Sequence, residues 1–166
     1  MLKTPSSFYS VSNDGLVTNQ FFEQASGTLP SELVLIKLNS ETLLTLGSQA
    51  LAPESIKFLE ALKQNLPAVT KSDVDFYQMG DLESPDISVY LKSGVRIMFS
   101  LGSDLKSTLN RLEVLLAQLQ DAERQKLFYV DMRSLGKAYV CFKGTACVKD
   151  VNLPKNATTT DPSILN

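Results

Sequence analysis

Residues 86–120 read DISVYLKSGVRIMFSLGSDLKSTLNRLEVLLAQLQ and contain both kinds of element that decide the fold. Apolar residues alternate with polar ones from Ile87 onward, and Ser93-Gly94 marks a tight turn before a second alternating run, so the pattern predicts a β-hairpin with one buried face. After Ser103 the apolar spacing changes to that of an amphipathic helix. We expect this helix to extend to about residue 125, with Ser103 as its N-cap.

The segments on either side of this stretch supply the remaining elements. Apolar patterns and turn signals predict a second helix, which ends before Pro67, and a hairpin around Asp14-Gly15. The predicted strands lie near 8–12, 16–19, 74–79, 127–133 and 137–143, with one or two more in 33–39 and 42–47, and the second helix spans 53–65. This order favours an α+β fold. We expect a mixed, mostly antiparallel sheet with two amphipathic helices packed on it and a terminal hairpin at a sheet edge.

Composition limits what the chain does. Its 166 residues suit one globular domain, which we place at 1–148 and follow with a flexible C-terminal tail at 149–166. The net charge of -2, with no basic run, argues against a nucleic-acid partner. With no histidine, the chain lacks imidazole for a catalytic triad and the commonest nitrogen ligand of zinc, so we expect neither a metal site nor a cofactor.

Two features bear on the cellular compartment. No apolar run reaches the ~20 residues needed to span a bilayer, and the first residues lack the pattern of a signal peptide, so Met1 is either a native start or the start of a fragment cut from an anchored protein. Cys141 and Cys147 form a disulfide if the compartment is oxidising. Two buried free thiols are the equally weighted alternative.

An enzyme reading depends on two carboxylates. Asp73 and Asp75 are two residues apart in a strand and would share one face, which is the arrangement of an acid/base pair. Two solvated acids on the polar face of a strand are the much more common case. The sequence therefore favours a protein that is not an enzyme.

The last predicted strand suggests a binding role instead. Lys137 to Phe142 form a strand with no later strand signal to cover it, and an open edge offers backbone groups to which another chain can add a strand. Lys137 and Lys143 are residues of the type that blunts such edges. The alternative is that this is simply the last hairpin of a small domain.

An ordered set of motifs resembles a known family. The set comprises Tyr9-x-Val11-x-x-Asp14-Gly15, Leu29-Pro30, Gly47 before a helix at 53–66, LKSGVRIMFSLG at 91–102, a long helix from about Asp104, and YVDMRSLGKAYVCF at 129–142. With these residues the chain resembles the C-terminal β domain of the bacterial cell-division family FtsQ/DivIB over about residues 5 to 144.

The resemblance implies a non-enzymatic divisome scaffold outside the plasma membrane at the division septum. Family members also have a cytoplasmic tail, one membrane helix and a POTRA domain, which have no counterpart in this sequence, so the membrane would be reached only through an anchor that this chain lacks. The implied partners are FtsB/DivIC-like and FtsL-like division proteins, and the implied role is to help regulate septal peptidoglycan synthesis during cell division.

In that family a short partner segment adds a strand to the last strand of the domain. Carried over by position, the implied binding residues are Arg133, Ser134, Ala138, Tyr139, Val140, Cys141 and Phe142, with Phe142 as an aromatic anchor and Arg133 facing a partner acid. The Ser134-Leu135-Gly136 turn differs from the usual family turn, and a Cys141–Cys147 bridge would fold the next loop back toward the edge. The alternative function is a generic extracytoplasmic α+β domain that self-associates through its edge strand.

Overall fold

A computed structural model describes residues 1–22, 34–145, 147 and 149–152. The strands are β1 Leu2–Lys3, β2 Ser7–Val11, β3 Val17–Phe22, β4 Ile36–Leu38, β5 Val74–Met79, β6 Asp86–Leu91, β7 Arg96–Ser100, β8 Leu127–Asp131, β9 Lys137–Phe142 and β10 Lys149–Asn152. The helices are α1 Pro53–Thr70, α2 Leu105–Gln118 and α3 Asp121–Lys126.

All ten described strands form one sheet, in the order β10-β9-β8-β7-β6-β5-β4-β1-β2-β3. The pairs β1/β4, β4/β5 and β7/β8 are parallel, and the other six neighbouring pairs are antiparallel. Helix α1 connects β4 to β5, and α2 with α3 connects β7 to β8, as parallel neighbours require. The expected α+β class and the mixed, mostly antiparallel sheet are confirmed.

The core lies between the middle of the sheet and the two long helices. Every second residue of β6 and β7 is buried, including Val89 and Phe99, as the alternation of the sequence predicts. Leu62 of α1 and Leu112 of α2 are also fully buried. The hydroxyl of buried Tyr77 on β5 donates a hydrogen bond to the Leu59 carbonyl at 3.0 Å, which ties α1 to the sheet.

The opposite face of the sheet has side chains stacked across the strands. The rings of Phe76 and Tyr90 stack with their centroids 4.5 Å apart, and the Lys37 ammonium lies 3.3 Å from the Phe76 centroid. On the next strands, the Arg96 guanidinium lies 5.1 Å from the centre of the Tyr129 ring. These cation–π and cross-strand contacts order the face without a layer of helices.

At the N-terminal end of the sheet, the Asp14-Gly15 turn is packed against a second segment. Gly15 has φ +86°, and a Cβ placed on it would lie 1.8 Å from the carbonyl oxygen of Leu51. The Ala50 amide donates to the Gly15 carbonyl, and the Val17 amide donates to the Ser48 carbonyl, both at 2.9 Å. A glycine is therefore required both by the backbone conformation and by the close approach.

Both long helices differ from the predicted ones. Helix α1 runs through Pro67 to Thr70, because the Thr70 hydroxyl bonds the Leu66 carbonyl and Lys71 closes the helix in the left-handed conformation. The single helix predicted to about residue 125 is two helices, interrupted at buried Leu119. The predicted cap is also wrong, because the Ser103 hydroxyl donates to the Ser100 carbonyl and Asp104 is the N-cap.

The strand predictions miss two strands. Of the one or two strands expected in 33–39 and 42–47, the described residues form one, β4, and the two-residue β1 has no signal of its own in the sequence. Residues 149–152, assigned to a flexible tail, form β10 at the edge of the sheet. Residues 23–33 with Leu29-Pro30, and the tail beyond 152, lie outside the described residues.

Candidate docking surface at the C-terminal end of the sheet

The last strand expected from the sequence is not an open edge. Strand β10 pairs antiparallel with β9, with Lys149 opposite Val140 and Asn152 opposite Lys137. The chain returns to β9 directly after the disulfide between Cys141 and Cys147, which are six residues apart. The disulfide alternative is therefore the one that the structure contains, and the loop that it closes brings β10 onto the edge that was expected to be free.

The residues implied for partner binding divide into two groups. Ala138, Val140 and Cys141 are buried, and the half-buried Phe142 packs against the hydrophobic core. Phe142 is thus a core contact and not an exposed anchor. The exposed members are Arg133, Ser134 and Tyr139, which lie at the turn between β8 and β9 and on β9 itself.

Arg133 is already engaged with carboxylates of its own chain. Its Nε and one terminal nitrogen donate to the two Asp131 oxygens at 2.9 and 2.7 Å, and its other terminal nitrogen donates to Asp86 at 2.6 Å. These contacts form a local ion pair between Arg133 and Asp131. Asp86 of β6 adds a second acid to it. Arg133 is therefore already paired within its own chain while its side chain stays partly exposed, and its contact with a partner acid stays a prediction.

The same cluster of charged groups shifts the pKa of the Asp131 carboxyl. Burial alone would raise the pKa of this carboxyl, but the hydrogen bonds and charge of Arg133, together with the charge of Arg96, lower it below its ordinary value. The hydrogen bonds that Arg133 donates to Asp131 and Asp86 raise the pKa of its guanidinium despite its partial burial. Both groups remain charged at neutral pH, so the cluster fixes the end of β8 next to the turn.

Arg111 of α2 supports this end of the sheet, and the sequence analysis did not single it out. Its side chain is 2% exposed, and a terminal nitrogen donates to the carbonyls of Ser134 and Lys137 at 2.6 and 3.1 Å. Burial lowers its pKa, and its Nε has no hydrogen-bond partner in the part of the chain that the structure describes. Arg111 thereby holds both ends of the turn between β8 and β9. Its place between Thr108 and Leu115 on the buried side of α2 was the available signal.

Exposed apolar side chains concentrate on the β8–β9 hairpin. Three of the six large hydrophobic side chains exposed among the described residues lie there: Phe128, Leu135 at 88% exposure and Tyr139 at 37%. Leu135 is at the tip of the turn that Arg111 fixes. Exposed apolar groups on a fixed backbone are typical of a protein-docking surface. We call the hairpin and the neighbouring strand, residues 127–142 and 149–152, the docking end.

The two carboxylates weighed for catalysis, Asp73 and Asp75, are both exposed. Asp73 precedes β5 and makes an exposed ion pair with Lys92 at 3.2 Å. Asp75 is exposed at a register shift between β5 and β6. Among the residues that the structure describes, no group of three His, Cys, Asp or Glu could hold a metal ion.

One property of the helices and two comparisons with known proteins complete the description. No helix in the described ranges is long and apolar enough to cross a membrane. No protein-family model matches the chain. A comparison with curated proteins likewise finds no match.

Proposed function

We propose that this chain is the extracytoplasmic interaction domain of a cell-division scaffold of the FtsQ/DivIB type. It acts without catalysis and binds a small division protein of the FtsB/DivIC type, alone or with an FtsL-type protein, at the septum. The observation that carries the proposal is the docking end, where a short edge strand adjoins a hairpin with exposed apolar side chains.

The mode of binding follows from the backbone. β10 is the outermost described strand at this end and is four residues long. Its outward amides and carbonyls suit an added strand, which would gain main-chain hydrogen bonds. The partner strand thus adds to β10, one strand further out than the sequence analysis expected. The exposed side chains of Tyr139 and Leu135 on the adjoining hairpin offer apolar surface for partner residues that flank the added strand.

The disulfide supports the extracytoplasmic assignment. Structural disulfides persist in oxidising compartments and are rare in the cytosol. Cys141 is buried within the sheet, and the bond to Cys147 ties the loop that carries β10. A domain with this bond at its proposed binding surface fits the outer side of a plasma membrane.

Paired aromatic variants test the proposal. The probe is a synthetic peptide from the membrane-proximal segment of an FtsB/DivIC-type protein, titrated by calorimetry into the wild-type chain, Tyr139→Ala and Phe21→Ala. Tyr139 is 37% exposed and Phe21 is 40% exposed, and the two residues lie near opposite ends of the sheet. Phe21→Ala is therefore the control for Tyr139→Ala. We expect Tyr139→Ala to weaken binding about 10-fold and Phe21→Ala to leave it unchanged. Equal losses, or no binding to the wild-type chain, would overturn the proposal.

Self-association is the second candidate, because the outer edge of β10 suits a second copy of the same strand as well as a partner strand. Sedimentation of the peptide-free chain at increasing concentration separates the two. A monomer at all concentrations supports the partner, and a dimer that the peptide does not dissociate supports self-association.

A further inference from the structure

β10 is connected to β9 both by strand pairing and, just before its first residue, by a disulfide. It contributes four residues to the sheet and is joined to β9 by a short loop. The disulfide closes that loop between Cys141, on β9, and Cys147, two residues before β10. A bond at this place restricts how far the start of β10 can move from β9.

The two sulfur atoms have different surroundings. Cys141 is 1% exposed and lies among buried residues of β9, whereas Cys147 is exposed. An attacking thiolate therefore reaches the bond from the side of Cys147. The Cys141 thiol that remains after reduction is a small apolar group that suits a buried site.

We propose that the Cys141–Cys147 bond is a reducible latch that holds β10 on β9, and that its reduction exposes β9 for strand addition. The reductant is a dithiol protein of the thiol–disulfide oxidoreductase class. One of its thiolates attacks Sγ of Cys147, and the Cys141 thiolate leaves and takes up a proton. The second thiol of the reductant then resolves the mixed disulfide, so two electrons and two protons pass to the chain and the reductant becomes a disulfide.

The rest of the docking end stays in place when the latch opens. The Arg111 hydrogen bonds to Ser134 and Lys137 do not involve the loop, and Ala138 and Val140 remain buried against the core. β9 therefore keeps its pairing with β8 while its other edge becomes available. That a partner then uses this edge rests on the proposed function, whereas the release of β10 does not.

Amide hydrogen exchange tests the latch without any partner. The oxidised chain is compared with the chain in tris(2-carboxyethyl)phosphine and with Cys147→Ser, which removes the bond at its exposed end and leaves buried Cys141 in place. Closing a loop of this length is worth about a 50-fold change in the opening equilibrium. We therefore expect exchange at 149–152, and at the β9 amides that face β10, to accelerate by about that factor.

A matched control comes from the same loop. Lys143→Ala changes an exposed side chain between the two cysteines and leaves the bond intact, so its exchange should match that of the wild-type chain. Amides of β5, β6 and β7 should be unchanged in every sample. Exchange at 149–152 that changes by less than about 3-fold on reduction would overturn the latch.

Adding the division-protein peptide separates the latch from the proposed function. If the latch and the proposed function both hold, the peptide protects the amides of 149–152 in the oxidised chain and those of 137–142 in the reduced chain. Faster exchange on reduction without peptide protection in either state leaves the latch and removes the proposed partner. Protection at 149–152 in both states, with exchange insensitive to reduction, leaves the partner and overturns the latch.

Discussion

The two ends of the sheet are fixed by different kinds of contact. At the N-terminal end, backbone hydrogen bonds join the turn around Gly15 to the segment at 48–51, and the Leu51 carbonyl fills the space where a Cβ would be. At the docking end, one buried guanidinium and one disulfide hold the turn and the last strand. The contacts at the first end are made by the backbone, whereas those at the second also depend on single side chains.

This difference is informative about function, because docking surfaces that add a strand need an edge that is ordered and still accessible. At the N-terminal end, backbone hydrogen bonds fix the turn around Gly15 against the segment at 48–51, which leaves this turn little freedom to rearrange. The docking end has a fixed hairpin and a short outer strand, which is the combination that strand addition uses. The variants below test whether the two ends really differ in this way.

The largest effect is expected at Gly15. Gly15→Ala places a methyl group against the Leu51 carbonyl and forces alanine to φ +86°, so we expect a loss of about 4 kcal/mol in the free energy of unfolding. Gly144→Ala is the matched variant in the loop that joins the two outer strands of the docking end. Gly144 has φ +79°, and among the described residues other than its chain neighbours no atom lies within 4 Å of the added Cβ, so we expect only the backbone contribution of about 1 kcal/mol. Urea unfolding of the two variants measures both, and equal losses would contradict the contrast.

The next effect is expected at Arg111. Arg111→Met keeps the volume of the side chain but leaves the Ser134 and Lys137 carbonyls without their donor, so we expect a loss of about 2 kcal/mol. Amide exchange should accelerate at 134–137 and stay unchanged at the N-terminal end. Lys106→Met makes the same change at an exposed position of α2 and should cost less than about 0.5 kcal/mol. A turn that is equally protected in both variants would show that Arg111 does not hold it.

The smallest effect is expected at the carboxylate cluster, and it depends on pH. Arg133 lowers the pKa of Asp131 in the folded chain, so the stabilisation is present above the ordinary aspartate value and is lost as the pH falls below about 4. Asp131→Asn should therefore lower stability by at most about 1 kcal/mol at pH 7 and by less at pH 2. Unfolding curves at the two pH values measure the difference. A loss that is larger at the lower pH would have the wrong sign.

The sequence predicts most of the middle of the sheet and little of its margins. The hairpin of β6 and β7 and the strand β5 carry strict alternation, because one face is buried under the helices and the other is not. β10 reads KDVN and has no such pattern, since an edge strand takes its conformation from pairing with its neighbour. Periodicity could therefore not reveal it.

The candidate site was predicted as a region, and its contacts were not. The Asp131–Arg133 pair joins residues two apart in the sequence, but Asp86 comes from β6, which only the folded sheet brings close. Phe142 has the residue type of an anchor, yet its position in β9 turns it to the core. In the sequence Arg111 looks like an ordinary helix residue. Its partners are backbone carbonyls more than twenty residues away, so only the folded hairpin shows its contacts.

Amide hydrogen exchange of the oxidised chain, with and without the FtsB/DivIC-type peptide, tests the central claim most directly. The account predicts new protection at 149–152 and none at 17–22, the strand at the other end of the sheet. Protection at 17–22, or an unchanged pattern at saturating peptide, would contradict it.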